Sequence, residues 1–124
     1  MPLSKSQLGT AAAVLTLAAG LVAHFEGLRL QTYADVLDIP TICYGHTGPD
    51  VRFGDTKTPV ECKELLQGDL KAANDAVHRC ITIPMTKGEE AALTSATYNV
   101  GPSIVCGSTL QRFANVGNWP AACA

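Results

Sequence analysis

The stretch Phe25–Gly48, FEGLRLQTYADVLDIPTICYGHTG, decides how the rest of the chain is read. It carries one glutamate, Glu26, an aspartate nine positions later, Asp35, a threonine, Thr41, and a glycine-histidine turn. On one continuous helix at about 100° per residue, Glu26 and Asp35 would point to opposite faces and could not cooperate. If a helix ends near Gly27 and an antiparallel hairpin follows, Asp35 folds back toward Glu26, and Thr41 arrives from the neighbouring strand. That arrangement makes a cleft with two carboxylates.

The spacing of Glu26, Asp35 and Thr41, followed by Ile42-Cys43-Tyr44-Gly45-His46-Thr47, resembles the phage-type lysozymes, glycoside hydrolase family 24. A second block, MTKGEEAALTSATYNVGPSIVCGSTL from Met85, is similar to that family's central-helix motif. The resemblance spans roughly Phe25 to Cys123. It implies an α+β fold: a small β-hairpin lobe joined by a long helix to a helical lobe. It also implies cleavage of the β-1,4 bond between N-acetylmuramic acid and N-acetylglucosamine in peptidoglycan, by an inverting acid/base route.

Such chemistry needs an acid to protonate the departing oxygen and a second group to guide water. Glu26 fits the acid: beside Phe25 and an apolar run, partial burial would favour its protonated form. Asp35 would orient the water and Thr41 would donate a hydrogen bond to it. The resemblance implies substrate contacts at Tyr33, Asn99 and Gly101. An ion pair for Glu26, a turn-stabilising Asp35 and a strand-filling Thr41 are the structural alternatives, and their joint spacing favours chemistry. Two departures from the family pattern stand beside these residues, where glycine is usual: Asp38 and Cys43. Aspartate tolerates left-handed backbone; cysteine at 43 calls for a disulfide.

At 124 residues the chain makes one domain, and with a net charge of -2 it has no basic footprint for nucleic acid. Five cysteines, at 43, 62, 80, 106 and 123, suggest an oxidising compartment, two bridges and one thiol left over. Several pairings remain open. Cys62–Cys80 is excluded, because on one helix they would lie about 27 Å apart. Cys43 and His46 have metal-ligand spacing but no second pair to complete a zinc site, so no metal and no cofactor is expected. His46 is expected to pair with an aspartate behind the hairpin.

Leu8–Phe25 is uncharged for eighteen residues after Lys5. It is a signal peptide, a weak membrane span or a buried first helix. Cleavage near Ala23 would strip away the helix that should hold Glu26, which favours an uncleaved segment, residues 1–25, ahead of a lysozyme-like domain, 26–124. Residues 8–25 just reach spanning length, and the positive end at Met1 and Lys5 would stay inside. Some phage lysozymes resembling this chain carry a signal-arrest-release segment, which implies an enzyme tethered to the inner membrane and later freed, as a monomer, into the periplasm.

Thr58-Pro59-Val60-Glu61 is a capping box with proline at the first helical position. Cys62, Leu66, Leu70, Ala73 and Val77 then form one apolar stripe. Thr86–Glu89 is a second capping box, after which Ala92, Leu93, Ala96 and Val100 are expected in the core, with Gly101-Pro102 as the stop. Ser108 caps a short helix, and another opens at Asn118. That last helix is barely a turn long, so the second lobe is expected to be truncated. Two rivals follow: an inactive or glycan-binding relic, and a single-span protein whose hairpin serves interaction only.

Overall fold

The computed structural model describes residues 5–124; Met1 of the expected positive end lies outside them, as do the side chains of residues 5–10. Helix α1 (Lys5–Glu26) leads into a two-stranded antiparallel hairpin, β1 (Arg29–Ala34) and β2 (Pro40–Cys43). Helix α2 (Pro59–Cys80) follows, then α3 (Lys87–Val100), a 3-10 turn (Pro102–Ile104), α4 (Thr109–Asn115) and α5 (Trp119–Ala122). This is the expected α+β arrangement of a small hairpin lobe, a long connecting helix and a helical lobe.

Gly27, at φ 71°, ends α1 and turns the chain straight into β1, so the hairpin already starts at Arg29. Register pairs Tyr33 with Thr41 and Ala34 with Pro40. Turn residues break the β-branched and aromatic run from Tyr33 to about Phe53, which reads as a small hairpin sheet, but the second strand ends at Cys43. Instead the segment 55–57 lines the outer edge of β1: Thr32 donates to the Asp55 carbonyl and Lys57 donates to the Leu30 carbonyl. An otherwise bare strand edge is thereby covered.

Both capping boxes form as read, at Thr58 with Glu61 and at Thr86 with Glu89. The α2 stripe is buried throughout. On α3, Leu93 is buried, but Ala92 and Val100 are exposed, contrary to expectation. The helix lies between α1 and α2, and its contact face is built from Ala91, Leu93 and the hydroxyl residues Thr94, Ser95 and Thr97. Asn74 on α2 donates to Thr94 Oγ1 at 3.1 Å and to Glu90 at 3.0 Å, so this seam is partly polar. Counting apolar residues alone misses such a face.

Two disulfides, Cys43–Cys62 and Cys80–Cys106, fasten the two ends of α2, one to the hairpin and one to the helical lobe. Cys123 is the remaining thiol, and it is exposed. At its C-terminus α2 ends on amide caps: Gln111 and Asn115 both donate to the Cys80 carbonyl, at 3.0 and 2.8 Å. Val77, Ile81, Leu93, Val105, Ala114 and Ala122 form the core beneath.

Helix α1 contributes Val14, Ala18 and Val22, all fully buried, to a core shared with Leu66, Leu70 and Ala91. Its apolar run therefore serves as a packed first helix here. No helix among the described residues is long and apolar enough to cross a membrane.

Candidate functional site

Glu26 is the last residue of α1, and its carboxylate lies against the turn that follows β2. A side chain built on Gly45 would place its Cβ 3.0 Å from Glu26 Oε2, so only glycine leaves room for the acid. Gly45 also sits at φ 84°, where side chains are strained. The burial expected around Glu26 is not present: the residue is exposed, and Phe25 beside it is 72% exposed. Phe25 shares the helical face of Val14, Ala18 and Val22, but it stands at the end of α1 and is left outside the core they form.

The turn itself closes through paired hydrogen bonds between Ile42 and His46, at 2.9 and 2.8 Å. Cys43 within it is at φ 63° and Asp38 in the hairpin loop is at φ 60°, so both glycine-like positions keep their left-handed backbone despite their side chains. The Cys43 disulfide holds one of them to α2.

A cleft of about 320 Å³ opens between hairpin and α3, and Glu26, Tyr33, Asp35, Thr41 and Asn99 all line it. Five of the six residues singled out from the sequence are thus brought to one place. The sixth, Gly101, lies in an adjoining recess of about 290 Å³, beside Asp69 and Thr97. Gly45, Thr47 and Tyr98 line both spaces and so join them into one groove. These three were not singled out as site residues, although they stand in the same Tyr-Gly-His-Thr and Tyr-Asn-Val-Gly motifs.

Asp35 Oδ1 accepts from the backbone N–H of Leu37 at 2.8 Å and of Ile39 at 2.9 Å. One oxygen of the carboxylate therefore builds the hairpin loop, while the residue faces the cleft. Thr41 is 3% exposed and donates its hydroxyl proton to the Ile39 carbonyl at 2.9 Å. Its hydroxyl proton is thereby committed, and toward a water it would present a lone pair in place of the expected donation.

Behind the turn, His46 stands between two carboxylates, with Nδ1 2.6 Å from Asp69 and Nε2 2.8 Å from Asp50. Burial opposes its charged form, but hydrogen bonds to Asp69 and Asp50 and their charges outweigh that and raise its pKa. Cys43 is in a disulfide and His46 is held by carboxylates, so neither of the two residues with metal-ligand spacing is free for a metal. Tyr98 donates its hydroxyl to the Tyr44 carbonyl. Burial, then the charges of Asp69 and Glu26, push its pKa far up, so the phenol keeps its proton.

Residues 23–124 match the family described as phage lysozyme. The chain is 41% identical over 98 residues to a SAR-endolysin of bacteriophage PS119, covering 79% of this chain and 59% of that protein. It is 40% identical to the endolysin of Salmonella phage P22, over 78% of this chain and 69% of that one. The chain thus spans about three fifths of the first relative's length. Among solved structures, the endolysin of Escherichia coli O157:H7 phage FAHEc1 superposes with a TM-score of 0.78 at 32% identity, over 98% of this chain and 72% of that one. Its fold is lysozyme-like. With the family match covering most of its length, the chain belongs to the phage lysozyme family.

Proposed function

We propose that this protein is a lysozyme that hydrolyses the β-1,4 bond between N-acetylmuramic acid and N-acetylglucosamine in peptidoglycan, with inversion, and that it lyses a bacterial host. One observation carries the reading. Glu26, Asp35 and Thr41, from the end of α1, the hairpin loop and β2, line a single cleft with Tyr33 and Asn99. Glu26 protonates the leaving oxygen, while the carboxylate oxygen of Asp35 not used by the hairpin loop takes a proton from water. Thr41 accepts a hydrogen bond from that water. Tyr33, Asn99 and Gly101 hold the glycan.

Two disulfides are in keeping with action in an oxidising space such as the periplasm. A tethered stage at the inner membrane, through residues 8–25, is supported by the uncharged run and by relatives bearing the name SAR-endolysin. In the folded form three residues of that run sit in the core, so tethering and this fold exclude one another.

Solubilisation of peptidoglycan by the wild type and by Glu26→Gln, with circular dichroism showing both folded, tests the enzyme reading. Release of reducing ends by the wild type alone supports it. A folded wild type that releases none leaves a glycan-binding remnant. Fractionation of expressing cells tests the tether, which requires a membrane-bound pool extractable only by detergent.

A further inference from the structure

The turn beneath Glu26 is held at three successive points by three different devices. Cys43 is bonded to Cys62 of α2. His46 is bonded to Asp69 of α2. Between them, the Tyr44 carbonyl receives the hydroxyl of Tyr98, which comes from α3 in the helical lobe. The last bond alone reaches across the groove, since Tyr98 and Gly45 line both of its halves. The next residue after the accepted carbonyl is Gly45, the one against which the Glu26 carboxylate rests.

We infer that Tyr98 is a positioning residue for the acid: its hydroxyl fixes the Tyr44–Gly45 peptide, and that peptide sets where Glu26 stands relative to Asp35. The inference rests on the glycosidase reading of the cleft. Its physical basis is the close passage of the carboxylate over this glycine: a Cβ on Gly45 would stand 3.0 Å from Oε2 and 3.3 Å from the carboxyl carbon, so the path of the backbone at Gly45 bounds the space the carboxylate occupies. Glu26 is exposed and ends its helix, so the turn is the firm surface it has to lean on. Catalysis by a positioned acid is sensitive to displacements of about 1 Å.

The phenol suits the task. It has one proton, given to the Tyr44 carbonyl, and its ionisation is opposed by burial and by the charges of Asp69 and Glu26. The donor therefore persists across the working pH range. The Tyr44 side chain packs against both the hairpin core and the core shared by α1, α2 and α3, so the accepting residue is anchored on its other side as well. The ring of Tyr98 and its hydroxyl then have separable roles. The ring forms groove wall and is part of binding; the hydroxyl acts on the acid through the turn.

Tyr98→Phe removes one oxygen and keeps the wall, and Tyr98→Leu removes both. Reducing-end release from peptidoglycan gives kcat and KM for each. Binding of tri-N-acetylchitotriose is measured in the Glu26→Gln background, with and without Tyr98→Phe. Expected for Tyr98→Phe is a fall in kcat of roughly tenfold, the scale of one lost hydrogen bond, with KM and trisaccharide affinity unchanged. Tyr98→Leu should raise KM in addition. An unchanged kcat in Tyr98→Phe overturns the inference, as does a loss confined to KM. A loss that follows the unfolded fraction and disappears on cooling overturns it too. If the wild type itself releases no reducing ends, the glycosidase reading fails and this inference fails with it; a working wild type beside an unaltered Tyr98→Phe removes only the positioning role.

Discussion

His46 Nδ1 lies 2.6 Å from Asp69 Oδ2, which ties the turn that carries Gly45 to the middle of the connecting helix. Asp50 holds the other ring nitrogen at 2.8 Å. Burial works against the imidazolium, yet the two hydrogen bonds and the two charges prevail, and the folded pKa stands above 6.5. The bond to His46 in turn lowers the Asp50 pKa below 3.8. A histidine raised on folding contributes fully below its unfolded value, and the contribution is lost as pH rises through the folded value. A depressed aspartate contributes above its unfolded value and loses that contribution as pH falls through the folded value. The pair of effects is therefore greatest between pH 3.8 and 6.5. His46→Asn should cost about 2 kcal/mol within that window and less above it, read as thermal midpoint against pH. Parallel profiles for wild type and variant would remove His46 from the account.

The disulfides should matter at opposite ends of α2. They close loops with sequence separations of 19 and 26, each of which restrains the unfolded chain by about 3 kcal/mol in the chain-entropy account. Cys80→Ser/Cys106→Ser should lower stability by that order in denaturant unfolding while leaving the hairpin intact. Cys43→Ser/Cys62→Ser should also lower kcat, because Cys43 is in the turn under Glu26 and holds positive φ there. Thiol titration of the native wild type should find one reactive group, Cys123. Equal kcat in the two double variants would show that the hairpin bridge is purely a staple.

The helix starts were legible because capping boxes are local: Thr58 with Glu61 and Thr86 with Glu89 satisfy backbone donors within one turn, whatever packs around them. The α2 stripe was legible for a related reason: its buried residues share one face of the helix, whichever core each of them meets. On α3 the same counting failed at Ala92 and Val100, since the helix is packed on two sides and Thr94 and Thr97 occupy the contact. The candidate residues Glu26, Asp35 and Thr41 were reached through their spacing and Tyr33 and Asn99 through the family resemblance, and all five line the cleft. What spacing could not convey is the support beneath them. The bond from Tyr98 to the Tyr44 carbonyl joins residues 54 apart, and a tyrosine signals nothing about which distant carbonyl it meets.

The amide caps on α2 are a further long-range device. Asn115 donates to the Cys80 carbonyl and accepts from the Thr82 N–H at 2.8 Å, so it satisfies both sides of the break after α2. Asn115→Ala should destabilise by about 1–2 kcal/mol with kcat unaffected, because both bonds lie at the far end of α2 from the hairpin. A change in kcat with no change in stability would contradict this placement.

Asp35 combines two roles that substitution can separate. Its Oδ1 accepts from Leu37 N and Ile39 N, which shapes the hairpin loop, and the residue also lines the cleft. Asparagine retains an acceptor oxygen for the two N–H groups but cannot take a proton from water. Alanine loses both properties. Asp35→Asn should therefore keep the wild-type melting temperature to within a few degrees while kcat falls by about two orders of magnitude or more, as for a removed general base. Asp35→Ala should lose the same activity and in addition about 1 kcal/mol of stability, through the loss of two exposed loop hydrogen bonds. Were asparagine to retain activity, the carboxylate would be a loop-builder and the water-activating base would have to be another group on the cleft. Were asparagine to destabilise as strongly as alanine, the loop would depend on the charge of Asp35 and not on its acceptor geometry.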